Sequence, residues 1–152
     1  MKRSWREWLG HEIGHVVARH SVKRLQQVLG LQVLLSLTLG ESSELTQKAV
    51  ATGIGVIMQG YSRQNEFEAD YDGTYYMTMS GYDPGGMIQL FGKFKEMEKD
   101  KKGTFLDQLL ASHPPTPERI AKVEEDVKSF NLGDKKLTLG QESYQKIRSR
   151  LK

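Results

Sequence analysis

The chain has 152 residues, 38% of them hydrophobic and 27% charged, with a net charge of +3. That length suits one domain around a continuous core, and the balance excludes a disordered or membrane-embedded chain. With no cysteine, disulfides, thiolate ligands and a cysteine nucleophile are excluded and any metal falls to histidine and carboxylate, while the scattered basic residues carry no nucleic-acid footprint.

The chain opens on a basic segment, Lys2 to Arg6, without the apolar stretch of a signal peptide. Residues 4–27 then read as one helix, with Trp5, Trp8, Leu9, Ile13, Val16 and Val17 as its apolar stripe and Gly30 as a stop. Inside it lies His11-Glu12-Ile13-Gly14-His15. Histidines four apart on a helix share a face one turn apart, so both rings reach one ion, and that geometry suits zinc. Glu12 points toward the same cleft and is the candidate general base, able to take a proton from a water whose pKa zinc lowers. The competing reading is a solvated helix face. His20, rotated about 140° from His15 on a continuous helix, reads as structural.

Residues 28–39 are leucine-rich but fall short of the ~20 apolar residues that span a bilayer. A buried helix or hairpin is expected there, with contact at a membrane surface as the alternative. Ser42 or Ser43 with Glu44 and Gln47 marks a helix start. The small, apolar run to Met58 that follows comes with Gly53, Gly55 and Gly60, where another backbone can approach, a flexible or kinked helix being the alternative. Residues 61–80 are helical again, and Asp83-Pro84 opens a helix reaching about Lys99. Met77, Met79, Met87 and Met97 read as core filler. Residues 112–117, with prolines at 114, 115 and 117, form a stiff loop. Thr116 and Pro117 start a helix running to about 131, and a last short helix is expected over 141–151.

Two ligands from the motif leave a third to find, since catalytic zinc takes three protein ligands and a water. Glu66 and Asp70, four apart, share a face of the 61–80 helix. Glu66 is the candidate ligand. Asp70 is placed to accept from the ring N–H of a liganding histidine, while Glu68 points elsewhere. An exposed acidic face is the alternative for such a pair.

Three segments, residues 11–20, 61–70 and 112–120, together resemble the HtpX and CAAX prenyl protease family of zinc metallopeptidases, family forty-eight, including its BepA-like and Oma-like members. The resemblance implies a mostly α, zincin-like (gluzincin) peptidase domain over 1–152 that holds one zinc through His11, His15 and Glu66, with Glu12 as base and Asp70 behind a ligand. It also implies that His113 approaches the metal, either stabilising an oxyanion or closing the open position, and that Arg119 contacts substrate or transition state. Peptide or protein substrates and a periplasmic or cell-envelope location follow from the same resemblance. Family members usually carry a small β-sheet before the HExxH helix whose edge strand grips the peptide. Only ten residues precede His11 here, which suggests a shortened N-terminus, weak activity, and a cleft wall left open or filled by a second copy of the chain.

Overall fold

The computed structural model describes residues 5–39, 44–58, 60–97 and 111–130, together with 132, 136–138, 140, 146 and 149. Six α-helices lie wholly within them: α1 (Trp5–Val17), α2 (His20–Leu39), α3 (Glu44–Met58), α4 (Arg63–Met79), α5 (Gly85–Met97) and α6 (Pro117–Ser129). Among the described residues the only β pairing is an isolated bridge between Tyr82 and Thr138. The fold is mostly α, as expected.

Local chemistry explains the helix starts. Ser62 caps α4, its hydroxyl accepting from Asn65 N at 3.1 Å while the Asn65 side chain accepts from Ser62 N, a reciprocal capping box. Asp83 caps α5, Oδ1 accepting from Gly85 N at 2.8 Å. Thr116 caps α6 with Pro117 at its first position. The expected cap at Ser42 or Ser43, the reach of α5 to Lys99, and the helix over 141–151 apart from Lys146 and Ser149 lie outside the described residues.

The core joins Met77 of α4, Met87, Leu90, Phe91 and Phe94 of α5 and Val123 of α6, with Trp8 of α1 packed against it. Met79 is exposed, so it is not core filler, and the side chain of Met97 lies outside the described residues.

The first helix departs most from expectation. Residues 4–27 are not one helix: α1 ends at Val17 and α2 begins at His20. Arg19 between them takes a φ of 56°, a left-handed conformation that costs a non-glycine residue about 1–2 kcal/mol. Trp8 of the expected stripe packs against the core, but its aliphatic members are turned the other way. Leu9, Ile13, Val16 and Val17 face outward, while Glu7, Gly10, His11, Gly14 and His15 are buried. Glycine explains this: a Cβ on Gly14 would meet the backbone of Ala69, and one on Gly73 would lie 2.8–2.9 Å from the backbone of Gly10 and His11. The pairs Gly10/Gly14 and Ala69/Gly73 therefore let α1 and α4 touch backbone to backbone.

Gly30 does not stop α2, which continues nine residues past it. A single interior glycine costs only about 1 kcal/mol, less than the helical preference of the leucine-rich stretch around it. That stretch is not buried either, since Leu29, Val33, Leu34 and Leu37 are exposed. In α3 the Leu31 side chain crowds Gly53 and Gly55 faces open space, so no backbone approaches either, whereas a Cβ on Gly60 would lie 3.6 Å from the Ser112 carbonyl oxygen. No helix among the described residues is long and apolar enough to cross a membrane.

Candidate metal centre

Contact between α1 and α4 sets His11 and His15 opposite Glu66, and the loop before α6 adds His113. One ligand-type atom from each of these four buried residues falls in a group within 4.8 Å of one another. The separations are 3.0 Å between the Nε2 atoms of His11 and His15, 3.5 Å from His11 Nε2 to Glu66 Oε2 and 3.3 Å from His15 Nε2 to Glu66 Oε1. His113 Nδ1 lies 3.2 Å from His11 Nε2 and 3.0 Å from Glu66 Oε1. Bonds of about 2.0–2.1 Å in tetrahedral array put donors roughly 3.3–3.4 Å apart. The five separations given lie near that spacing.

The protonation of the rings supports the same reading. His11 Nδ1 lies 2.8 Å from Asp70 Oδ1, and a carboxylate only accepts, so the ring donates there and turns a lone pair at Nε2 toward the group. His15 is oriented by a longer chain: its Nδ1 lies 2.8 Å from His20 Nδ1, and His20 Nε2 lies 3.1 Å from Glu68 Oε2. Glu68 accepts from His20 Nε2–H, so His20 Nδ1 accepts from His15 Nδ1–H, and His15 Nε2 is a lone pair too. Two nitrogen lone pairs 3.0 Å apart, beside a carboxylate, repel unless a cation lies between them. Zinc fits that donor set.

Burial lowers the pKa of His11 and of His15, against the pull of Asp70 on the first and of Glu66 on the second. Both rings are thereby kept neutral and able to ligate. Burial alone would raise the Glu66 carboxyl, yet the close approach of the His113 and His15 rings and the charge of Arg119 hold it well below the usual carboxylate range.

Arg119 is placed differently from what the resemblance implies. It is buried, with Nε and Nη2 donating to Asp70 at 2.8 Å each, Nη1 donating to Pro114 O at 3.0 Å and pairing with Glu66 Oε2 at 2.7 Å. Its fork joins the loop, the Asp70 carboxylate and Glu66, and four of its five N–H donors are used inside the protein. Glu12 stands just outside the donor group, partly exposed, with Oε1 3.9 Å from His113 Nε2.

Two residues escaped the sequence reading. His20 swings back to His15 because the turn at Arg19 breaks the helix phase, and nothing in the local sequence signals that turn. Tyr61 stacks on His15 with ring centres 4.0 Å apart, a contact that only the tertiary fold creates. The glycine spacing, four apart in α1 and matched by Ala69 and Gly73 in α4, was a readable sign of close helix packing.

Comparison with known proteins gives these contacts a family. Metalloprotease YcaL of Escherichia coli K12 is 27% identical over 125 residues, which cover 80% of this chain and 48% of that protein. Mitochondrial metalloendopeptidase OMA1 of Schizosaccharomyces pombe is 31% identical over 120 residues, covering 77% of this chain and 34% of the relative. For the beta-barrel assembly-enhancing protease of Escherichia coli K12 the figures are 28% over 123 residues, 74% and 25%. The chain thus spans from a quarter to about half the length of these relatives. No solved structure matches it significantly. A family model described as peptidase family M48 matches residues 5–127, which hold His11, Glu12, His15, Glu66, Asp70, His113 and Arg119, and the chain belongs to that family.

Proposed function

We propose that this domain is a zinc-dependent endopeptidase centre whose fourth coordination position is held by His113 in the conformation described. The carrying observation is the convergence of three histidine rings and a buried carboxylate within 4.8 Å of one another, with Glu12 just outside. Zinc, when bound, supplies a Lewis acid that polarises a peptide carbonyl and lowers the pKa of water. Glu12 takes a proton from the attacking water and passes it to the leaving amine. Asp70 keeps His11 in its ligating tautomer, and the chain Glu68–His20 does the same for His15. Arg119 positions Asp70 and Glu66 and ties them to the loop that carries His113. A catalytic zinc site keeps one position open whereas a structural one is closed, so His113 must leave the donor group before substrate can enter.

Two measurements test the reading. Protein purified without added metal is expected to carry one zinc per chain by elemental analysis. Zinc-loaded protein is expected to hydrolyse an unstructured protein such as casein slowly, and Glu12→Gln to stop that hydrolysis while keeping the zinc. Equal turnover by Glu12→Gln would sink the mechanism. The action is proposed to lie in the cell envelope, on the likeness to a beta-barrel assembly-enhancing protease, and recovery of the native protein only in the cytosolic fraction would refute that placement.

A further inference from the structure

A cavity of about 550 Å³ lies beside the metal centre, between α2, the start of α4 and the loop that carries His113, lined among others by His20, Lys23, Arg24, Tyr61, Asn65 and Pro114. We propose that it is a subsite for an acidic side chain of a bound peptide. This rests on the peptidase reading and adds to it a substrate class.

Charge carries the first part of the argument. The lining includes Lys23 and Arg24 and no carboxylate. At the start of α4 the Ser62 hydroxyl and Asn65 Oδ1 hydrogen-bond one another in the capping box, which leaves the uncharged Gln64 side chain and the Asn65 side-chain NH2 in the lining. Glu68 lies outside the lining, where it pairs with His20 at 3.1 Å and approaches Lys23 at 3.8 Å, so it offsets part of the Lys23 charge and none that faces it from Arg24.

Arg24 is the specific observation. Its guanidinium carbon sits 4.3 Å from the centre of the Tyr61 ring, which fixes the plane of the fork. Its Nη2 is enclosed and has no hydrogen-bond partner among the described residues. An enclosed donor on a charged group is costly when unpaired, and a planar fork held against a ring is suited to receive a carboxylate. Nη2 itself is closed off from the cavity, so a carboxylate entering it would meet the guanidinium through the other atoms of Arg24 that line it.

Position links the cavity to the chemistry. The Tyr61 ring has His15 on it at 4.0 Å and Arg24 over it at 4.3 Å. The guanidinium therefore lies within about 8 Å of the His15 ring, roughly two residues of extended chain at about 3.3–3.6 Å each. The inferred substrate is a peptide with Asp or Glu within about two residues of the bond that is cut.

The test uses two fluorescein-labelled polyalanine decapeptides, one with a central Glu and the other with Gln, titrated by anisotropy into zinc-loaded Glu12→Gln protein. The Glu peptide is expected to bind about tenfold more tightly, in line with a charge-assisted hydrogen bond. Adding Arg24→Gln is expected to bring the two affinities within twofold with zinc content unchanged. Equal affinities before Arg24 is changed, binding of neither peptide, or a preference that survives Arg24→Gln would each overturn the subsite. Casein hydrolysis by the wild-type protein is read separately. A Glu preference in binding without hydrolysis would count against the peptidase reading and leave the acidic site standing, whereas hydrolysis without the preference would do the reverse.

Discussion

His113 Nδ1 stands 3.2 Å from His11 Nε2 although 102 residues separate them. In the proposed reading the two rings would share one centre, and His113 would fill the position a substrate carbonyl needs. His113→Ala is expected to raise casein hydrolysis by about tenfold or more while most zinc is retained on the other three ligands. A fall in hydrolysis would instead make His113 an aid to the oxyanion, and no change in hydrolysis or in zinc affinity would make it a bystander.

Three ligands cannot spare one. His11→Ala, His15→Ala and Glu66→Ala are each expected to lose most of the zinc after dialysis against a weak chelator. Full occupancy in Glu66→Ala would remove the only carboxylate from the proposed set.

Behind the ligands, Asp70 and His20 are expected to act alike. Asp70→Asn and His20→Ala should each weaken zinc affinity about 10- to 100-fold without abolishing binding, with helix content by circular dichroism unchanged. If His20→Ala binds zinc as tightly as the parent, the chain from Glu68 through His20 to His15 does not orient the ligand.

The crossing of α1 and α4 supplies a stability test with its own control. Gly14→Ala forces a Cβ against the Ala69 backbone, and such overpacking costs about 1–3 kcal/mol. Gly30→Ala meets nothing within 4 Å and is expected to stabilise the helix by roughly 0.5–1 kcal/mol. Urea unfolding of both variants checks the pair. Equal stabilities would mean that the two helices do not touch at Gly14.

What the sequence determined by itself is what local chemistry decides. Histidines four apart on a helix share a face whatever surrounds them, so the spacing of His11 and His15 was readable without the fold. Glu66 and Asp70 follow the same rule, and Thr116 with Pro117 starts a helix by its own geometry. The mostly helical architecture follows from such segments.

Tertiary structure decided the rest. The aliphatic stripe of α1 was expected to be buried, yet backbone contact at Gly10, Gly14, Ala69 and Gly73 outweighs it and turns the histidines inward. His20 was set aside by a phase argument that holds only for an unbroken helix, and the left-handed turn at Arg19 breaks it. The resemblance implied that Arg119 contacts substrate or transition state, and only the fold shows that two carboxylates far from it in the chain also bind its donors. Periodicity reports which residues share a face. Which face is buried, and which distant group meets it, depends on contacts between elements whose separation along the chain no local pattern encodes.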